Sequence, residues 1–381
     1  MTIVALAALL PACDDAGYPA LENGAFFGEA LSGSQSVNVV VGVGGGRAEL
    51  TPSLSAPAPA DLRLRLAVDT ALLRKHNEAQ GTDYLPLPEG AYDPLPEVSI
   101  AKGAYASAPV SINIHPMEGE MRSEPYALPL RLESADGLVP VMPQTGGYVV
   151  TTESVFASTL PQFYGGPGLT AEMPGGPETY QQLTMELKFQ VDNFSNRNRG
   201  IIGGGGIFIR FEGAGTGYLN DHVQVADNSD HPGVTAERPF ELNKWQHFAF
   251  TFDGLQYKVY VNGALAGTNT RSAATDVTFG GFTVWYGDGG WWDRTRIMIA
   301  EARVWSVART EAQIRNNMNT VSSKARGLEC YWRMSDGEGE TFADATGHGH
   351  TLRSNKGAVP TWVPGVMSNA ESTPWVVPRR N

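Results

Sequence analysis

The residues of this 381-residue chain best suited to chemistry share one loop, Trp285-Tyr286-Gly287-Asp288-Gly289-Gly290-Trp291-Trp292-Asp293. A sugar ring presents C–H faces that stack on flat aromatic side chains, while its hydroxyl protons need carboxylate or amide acceptors. Tyr286, Trp291 and Trp292 offer the rings; Asp288 and Asp293 offer the acceptors, on a Gly-rich backbone. An extended chain would send Trp291 and Trp292 to opposite faces, so one of them is expected to reach solvent. The alternative is that both pack in the core or at a domain interface. A second loop, Gly213–Asp221, carries Tyr218 and Asn220 and is a further candidate for a sugar contact.

Other chemistries find less support. The sequence has no G-x-S-x-G elbow, no H-E-x-x-H and no C-x-x-C. Gly42–Gly46 and Gly203–Gly206 lack the Lys and following helix of a phosphate loop, and read as turns or bulges. His348 and His350 are two apart on a Gly loop, but two imidazoles without a third ligand read as loop histidines. Arg197 and Arg199, in Ser195-Asn196-Arg197-Asn198-Arg199-Gly200, read as solvated loop charges. The net charge of −12 argues against nucleic acid, whose phosphates need a clustered basic surface.

Residues that position such loops must be mostly strands. Only 18% of residues are charged, and 44 Gly and 25 Pro punctuate the chain, which favours an all-β protein of two or three domains. Lys244–Gly267 shows the pattern best: strands at His247–Phe252 and Gln256–Val261, then Asn262-Gly263 as a type I′ turn into a third. Phe248, Phe250 and Phe252 should face one way and His247, Ala249 and Thr251 the other, giving a half-buried antiparallel sheet. Two helices are expected, Thr70 to Ala79 ended by Gly81, and Thr310 to Asn319, where Thr310 and Gln313 form a capping box.

The N-terminus reads as a targeting segment. Thr2 to Leu10 is apolar, too short to span a bilayer, and ends in Leu10-Pro11-Ala12-Cys13 before Asp14-Asp15. This resembles a lipoprotein signal with lipid on Cys13, and the acidic pair resembles a surface-export signal of some Gram-negative bacteria. The alternative is an apolar tail with a free thiol. With Cys13 acylated, Cys330, the only other cysteine, would have no intrachain partner and read as a small buried thiol.

Two resemblances organise the rest. Leu64-Arg65-Leu66-Ala67-Val68-Asp69, His76 to Tyr84, Leu87-Pro88, Ala91-Tyr92, Ile100 to Gly103 and Tyr126 to Leu132 make residues 25–150 similar to the immunoglobulin-like N-terminal domain of polysaccharide-utilisation surface lipoproteins. That resemblance implies a spacer or assembly module. Trp245 to Phe248 with Asp253-Gly254, Tyr257 to Gly263, Ile299 to Trp305 with Ala308-Arg309-Thr310, Gly327 to Trp332 and Asp344 to His350 make the second half similar to the laminin-G-like or concanavalin A-like jelly-roll family. In this family the Asp344–Gly347 element often lies early in the domain; here it lies late, so the chain's end should complete the sandwich. The expected organisation is signal peptide 1–12, lipid-anchored tether 13–24, immunoglobulin-like sandwich 25–150, linker 151–165 and jelly-roll 166–381 with one short helix.

The jelly-roll resemblance implies a rim calcium, for which Asp344, with Glu301 from the adjoining strand, would supply carboxylates; otherwise Asp344 caps its turn. Laminarinase-type enzymes on this fold carry E-x-D-x-x-E on one strand. Neither Glu186 nor Glu301 has such partners. The reading is therefore a non-enzymatic, outer-membrane, cell-surface lipoprotein that binds an oligo- or polysaccharide beside a TonB-dependent transporter and its lipoprotein lid of the starch-utilisation type. One alternative is an assembly subunit without sugar binding. Another is a glycoside hydrolase with an unrecognised acid pair.

Overall fold

In the computed structural model, the described residues are 23–154, 157–213, 217, 219–226, 233–286 and 290–376. Cys13 and its flanking segment, Tyr218 and Asp288 lie outside them. Among the described residues no helix is long and apolar enough to cross a membrane.

The N-terminal domain is built on a six-stranded sheet in the order Ser36–Val41, Gly147–Ser154, Tyr126–Ser134, Leu62–Val68 and Glu97–Ile100, with Leu85–Pro86 added beside Tyr126–Ser134. Leu62–Val68 alternates as expected, burying Leu62, Leu64 and Leu66 while Arg63 and Arg65 face solvent. Two antiparallel pairs of strands distant in sequence, Gly46–Leu50 with Val110–Ile114 and Ala25–Phe27 with Pro52–Leu54, contribute to the same core. Helix α1 spans Thr70–Gln80. Asp69 caps it by accepting from the Ala71 and Leu72 amides, and Gly81 ends it in the left-handed region.

The C-terminal domain stacks two large sheets around one aromatic-rich core. We term the first the covered sheet: Ala264–Thr270, Gln256–Val261, Gln246–Phe252, Leu183–Val191, Arg296–Trp305, Ser158–Tyr164 and Thr361–Val366, with Leu328–Trp332 paired to Arg296–Trp305. The second, the open sheet, runs Val234–Thr235, Val223–Val225, Ile207–Phe211, Arg199–Gly204, Gly281–Val284, Leu169–Glu172, Leu352–Ser354 and Thr341–Phe342. The chain's end does complete the sandwich, since the last four strands join both sheets. Cys330 is a free thiol buried in the core.

The hairpin at 246–270 has the expected turn, with φ 49° at Asn262 and 75° at Gly263. A Cβ on Gly263 would also meet the Arg315 Cα at 3.0 Å. Gly263→Ala is therefore expected to lower stability by about 1–2 kcal/mol, read as a shift in the urea unfolding midpoint.

Two expectations need correction. The linker is shorter than 151–165, because residues 151–154 finish a strand of the first domain and Ser158–Tyr164 already belongs to the covered sheet. Nor is the 246–270 hairpin's sheet half-buried. Phe248, Phe250 and Phe252 enter the core, but His247, Ala249 and Thr251 on the other face are buried too. Helix α2, Glu311–Asn316 with its Thr310–Gln313 capping box, lies on that face, where Ile314 packs on Ala249 and Tyr260. The tail covers more of it: Gln190 and Gln162 each exchange a pair of hydrogen bonds with the main chain of Thr373 and Val376. The alternation identifies a strand but does not say what lies on its polar side.

Candidate functional site

Because most of the covered sheet's outer face is occupied, the broad face left exposed is that of the open sheet. Along Ile207–Phe211 the isoleucines and Phe211 point into the core, which sends Phe208 and Arg210 outward. Opposite them in register stand Gly203 and Gly200. These glycines have a role that local geometry makes plain. A Cβ on Gly200 would fall 2.3 Å from the Tyr286 ring and one on Gly203 2.0 Å from its hydroxyl, so the Tyr286 ring lies across a strand kept bare of side chains. Phe208 meets Tyr286 edge to face, centroids 4.9 Å apart, and the Arg210 guanidinium lies 5.6 Å from the Phe208 ring centre. Arg210 is fixed by Asn198 Oδ1 at 2.6 Å and Glu212 at 2.9 Å. The result is a half-exposed aromatic pair flanked by a clamped cation, on a rigid sheet.

The loop leaving Tyr286 divides its aromatics. Trp292 is 1% exposed, so its assignment as a glycan contact is corrected: it is core. Its Nε1 donates to the Gly200 carbonyl at 2.9 Å, and its ring packs edge to face on Trp285 with centroids 4.6 Å apart. Trp291 remains half-buried at the rim and Asp293 is exposed, the latter closing a turn onto Gly290. Of the two expectations, one Trp outward or both packed, the structure shows Trp292 inward and Trp291 half-buried, through a turn rather than an extended chain, and Tyr286, Trp291 and Asp293 keep some exposed surface.

Arg199 is what the sequence reading missed. It is no solvated charge but wholly buried, stacked 4.8 Å from the Trp292 ring. It donates to the Trp291 carbonyl at 2.9 Å, to Thr295 Oγ1 at 3.0 Å and to the Asn193 carbonyl, tying the aromatic loop to the sheet. Burial pulls its pKa down to about 10, against the pull of Asp192. Arg197 is the exposed member of the pair and bonds Glu212. Nothing in the spacing separates the two; a cation stacked on an indole is a tertiary fact.

The calcium expectation does not fit its residues. Asp344 Oδ1 accepts from the Tyr331 amide at 3.1 Å, the Thr346 amide at 3.0 Å and Thr346 Oγ1 at 2.7 Å, while Oδ2 accepts from the His350 amide at 3.2 Å. That carboxylate is a turn cap with its acceptor capacity spent. Glu301 instead pairs with Arg303 at 2.6 Å. Among the described residues no group of three His, Cys, Asp or Glu side chains is placed to hold a metal. His348 and His350 each direct Nδ1 at a backbone carbonyl.

Comparison with known proteins agrees with this architecture. Residues 168–315 match the family model of the concanavalin A-like lectin/glucanase superfamily, laminin-G type. Residues 21–139 match a model described as an N-terminal domain. No curated protein matches the chain. Among solved structures it is similar to a "putative carbohydrate binding protein" from Bacteroides ovatus, 23% identical, covering 88% of this chain and 99% of that one, with a TM-score of 0.54. A heptameric pentraxin from Limulus polyphemus is 18% identical and covers 52% of this chain and 96% of that one, with a TM-score of 0.36. Residues 168–315 therefore form a concanavalin A-like domain of the laminin-G type, behind an N-terminal β-domain whose residues 21–139 match a separate family model.

Proposed function

We propose that this protein binds a saccharide without cleaving it, through the open sheet and the loop that follows Tyr286. The observation that carries this reading is the Phe208–Tyr286 pair seated over Gly200 and Gly203, beside a clamped Arg210. A ring platform with fixed polar neighbours is the composition a sugar's C–H face and hydroxyls require. The lectin-type fold and the name carried by the Bacteroides ovatus neighbour support the same class of ligand. Trp291 and Asp293 would extend the surface at its rim.

The non-enzymatic part of the reading rests on where the strand acids lie. Glu186 is buried beneath α2 between Arg303 and Arg309. Burial alone would raise its pKa, but Arg309, His247 and Arg303 hold the carboxyl well below the usual range. A carboxyl held ionised in this way is no general acid. With the Cys13 signal, the reading places the protein on the outer membrane as a lipid-anchored surface component, handing saccharide to a TonB-dependent transporter and its lipoprotein lid of the starch-utilisation type.

Native gels cast with soluble polysaccharides test the binding surface. At least one glycan is expected to retard the wild-type chain, and Phe208→Ala with Tyr286→Ala should weaken retention about tenfold or more, as loss of a central aromatic anchor does. Retention unchanged in that folded double variant would place the ligand elsewhere.

A further inference from the structure

Between the two domains lies a cleft of about 340 Å³, at the small end of the ~300–1,000 Å³ typical of small-molecule sites. It sits on the covered sheet's side of the sandwich, away from Phe208 and Tyr286. At the back of its lining is Tyr331, wholly buried, with two guanidinium groups over its ring, Arg303 at 5.2 Å and Arg333 at 5.0 Å. The Tyr331 hydroxyl lies beside Glu301 yet completes no hydrogen bond of ordinary geometry. One wall is the end of the Gly147–Ser154 strand with Glu153 and the half-buried Tyr84; the facing wall is the segment after α2, with Asn319.

These walls are clamped across the domain boundary. Arg333 pairs with Glu124 at 2.5 Å, Asn316 Nδ2 donates to the Gln80 carbonyl at 2.7 Å, and Asn317 Nδ2 donates to the Gly81 carbonyl at 2.9 Å. Asn369 closes a third side by donating to Glu153 Oε1 at 3.2 Å, while Asn38 donates to Oε2 at 3.1 Å. A carboxylate accepts about four hydrogen bonds. Glu153 is thus held in place with acceptor capacity left over. The entropy of shaping this pocket is spent by the fold rather than by a ligand, which favours binding.

We infer that this interdomain cleft is a second binding site, taking a short neutral saccharide or the end of a neutral glycan chain. Its lining sets four carboxylates, Asp83, Glu124, Glu153 and Glu301, against three arginines, a formal surplus of one negative charge, so the near-cancelled field favours neither an anion nor a multiply charged cation. What it offers is acceptors, amides and the half-buried Tyr84, enclosed on three sides. An enclosed pocket suits a chain end; the open sheet suits a chain passing over it. The ligand class rests on the saccharide-binding reading above, whereas the location does not. The two domains would then form one ligand site, and the first would be more than a spacer.

Hydrogen exchange on the whole chain, with and without saturating short gluco-, xylo-, manno- and galacto-oligosaccharides, tests this. At least one sugar is expected to slow exchange in segments 122–125, 151–154 and 315–320. Ser368→Trp at the mouth and Glu153→Ala on the wall should abolish that protection and weaken its binding at least tenfold, without changing the melting temperature much. Protection confined to 199–210 and 281–286 would overturn the cleft and leave the open-sheet reading standing. Protection at the cleft that survives both variants would overturn it as well. Protection nowhere would overturn both readings together.

Discussion

Glu186→Ala is expected to cost about 3–5 kcal/mol of folding stability, the loss typical of one partner removed from a buried ion pair. The carboxylate is 1% exposed and serves two buried cations: Oε2 lies 3.0 Å from Arg303 Nη1 and Oε1 lies 2.7 Å from Arg309 Nη1. Arg303 would keep Glu301 and the Asn317 carbonyl. Arg309 would keep only Asp83, at 3.9 Å, and its stack on Trp305. Glu301→Ala should therefore cost less than Glu186→Ala, and the comparison in denaturant unfolding isolates the stranded arginine.

The same cluster sets a pH dependence. Burial pushes the His247 pKa below 6.5, opposing Glu186, so the folded state resists a proton that the unfolded chain accepts. Stability is then lost as pH falls below about 6.5. The Glu186 pKa is also depressed, from an ordinary 4.5, so its contribution is full above that value and declines on further acidification. Melting temperature should fall on going from pH 7 to pH 5, and fall again below pH 4.5. A flat profile across both windows would contradict the buried arrangement.

Trp292→Ala is the second large effect, about 3–5 kcal/mol as for other buried Trp truncations. It removes the hydrogen bond to the Gly200 carbonyl, the edge-to-face contact with Trp285 and the surface on which Arg199 stacks. Arg199 would be left buried beside a cavity. Gly200 is the residue beneath Tyr286, so the damage should reach the proposed saccharide surface and lower any glycan affinity there indirectly. Trp291→Ala, one position away, should change stability by less than about 1 kcal/mol, because its ring is half-exposed. Equal unfolding midpoints for the two variants would refute the inward–outward division of the loop.

The sequence expected this division from extended-chain alternation, but Trp291 and Trp292 lie in a turn that Asp293 closes onto Gly290, so the outcome has a different cause. It reached the Asn262-Gly263 turn and the Thr310–Gln313 capping box because both are short-range geometry. It failed where distant elements meet. Arg199 looks like its neighbour Arg197 until Trp292 arrives from 93 positions later in the chain. The polar stripe Thr184, Glu186, Lys188 and Gln190 is buried because α2, the segment after it and the 370–376 tail cover it, which no local pattern marks. Asp344 reads as a metal ligand until four donors fill it. Phe208, the most consequential omission from the candidate set, has no local mark at all. Only the register opposite Gly203 brings it to Tyr286.

The central claim is that the Phe208–Tyr286 face of the open sheet holds a saccharide. Isothermal titration calorimetry of the full chain against the glycan that best retards it in native gels tests this most directly. The wild type should bind with a favourable enthalpy, and Phe208→Ala/Tyr286→Ala should lose at least tenfold in affinity while unfolding at a similar midpoint. Binding of equal affinity by the folded double variant would contradict the account.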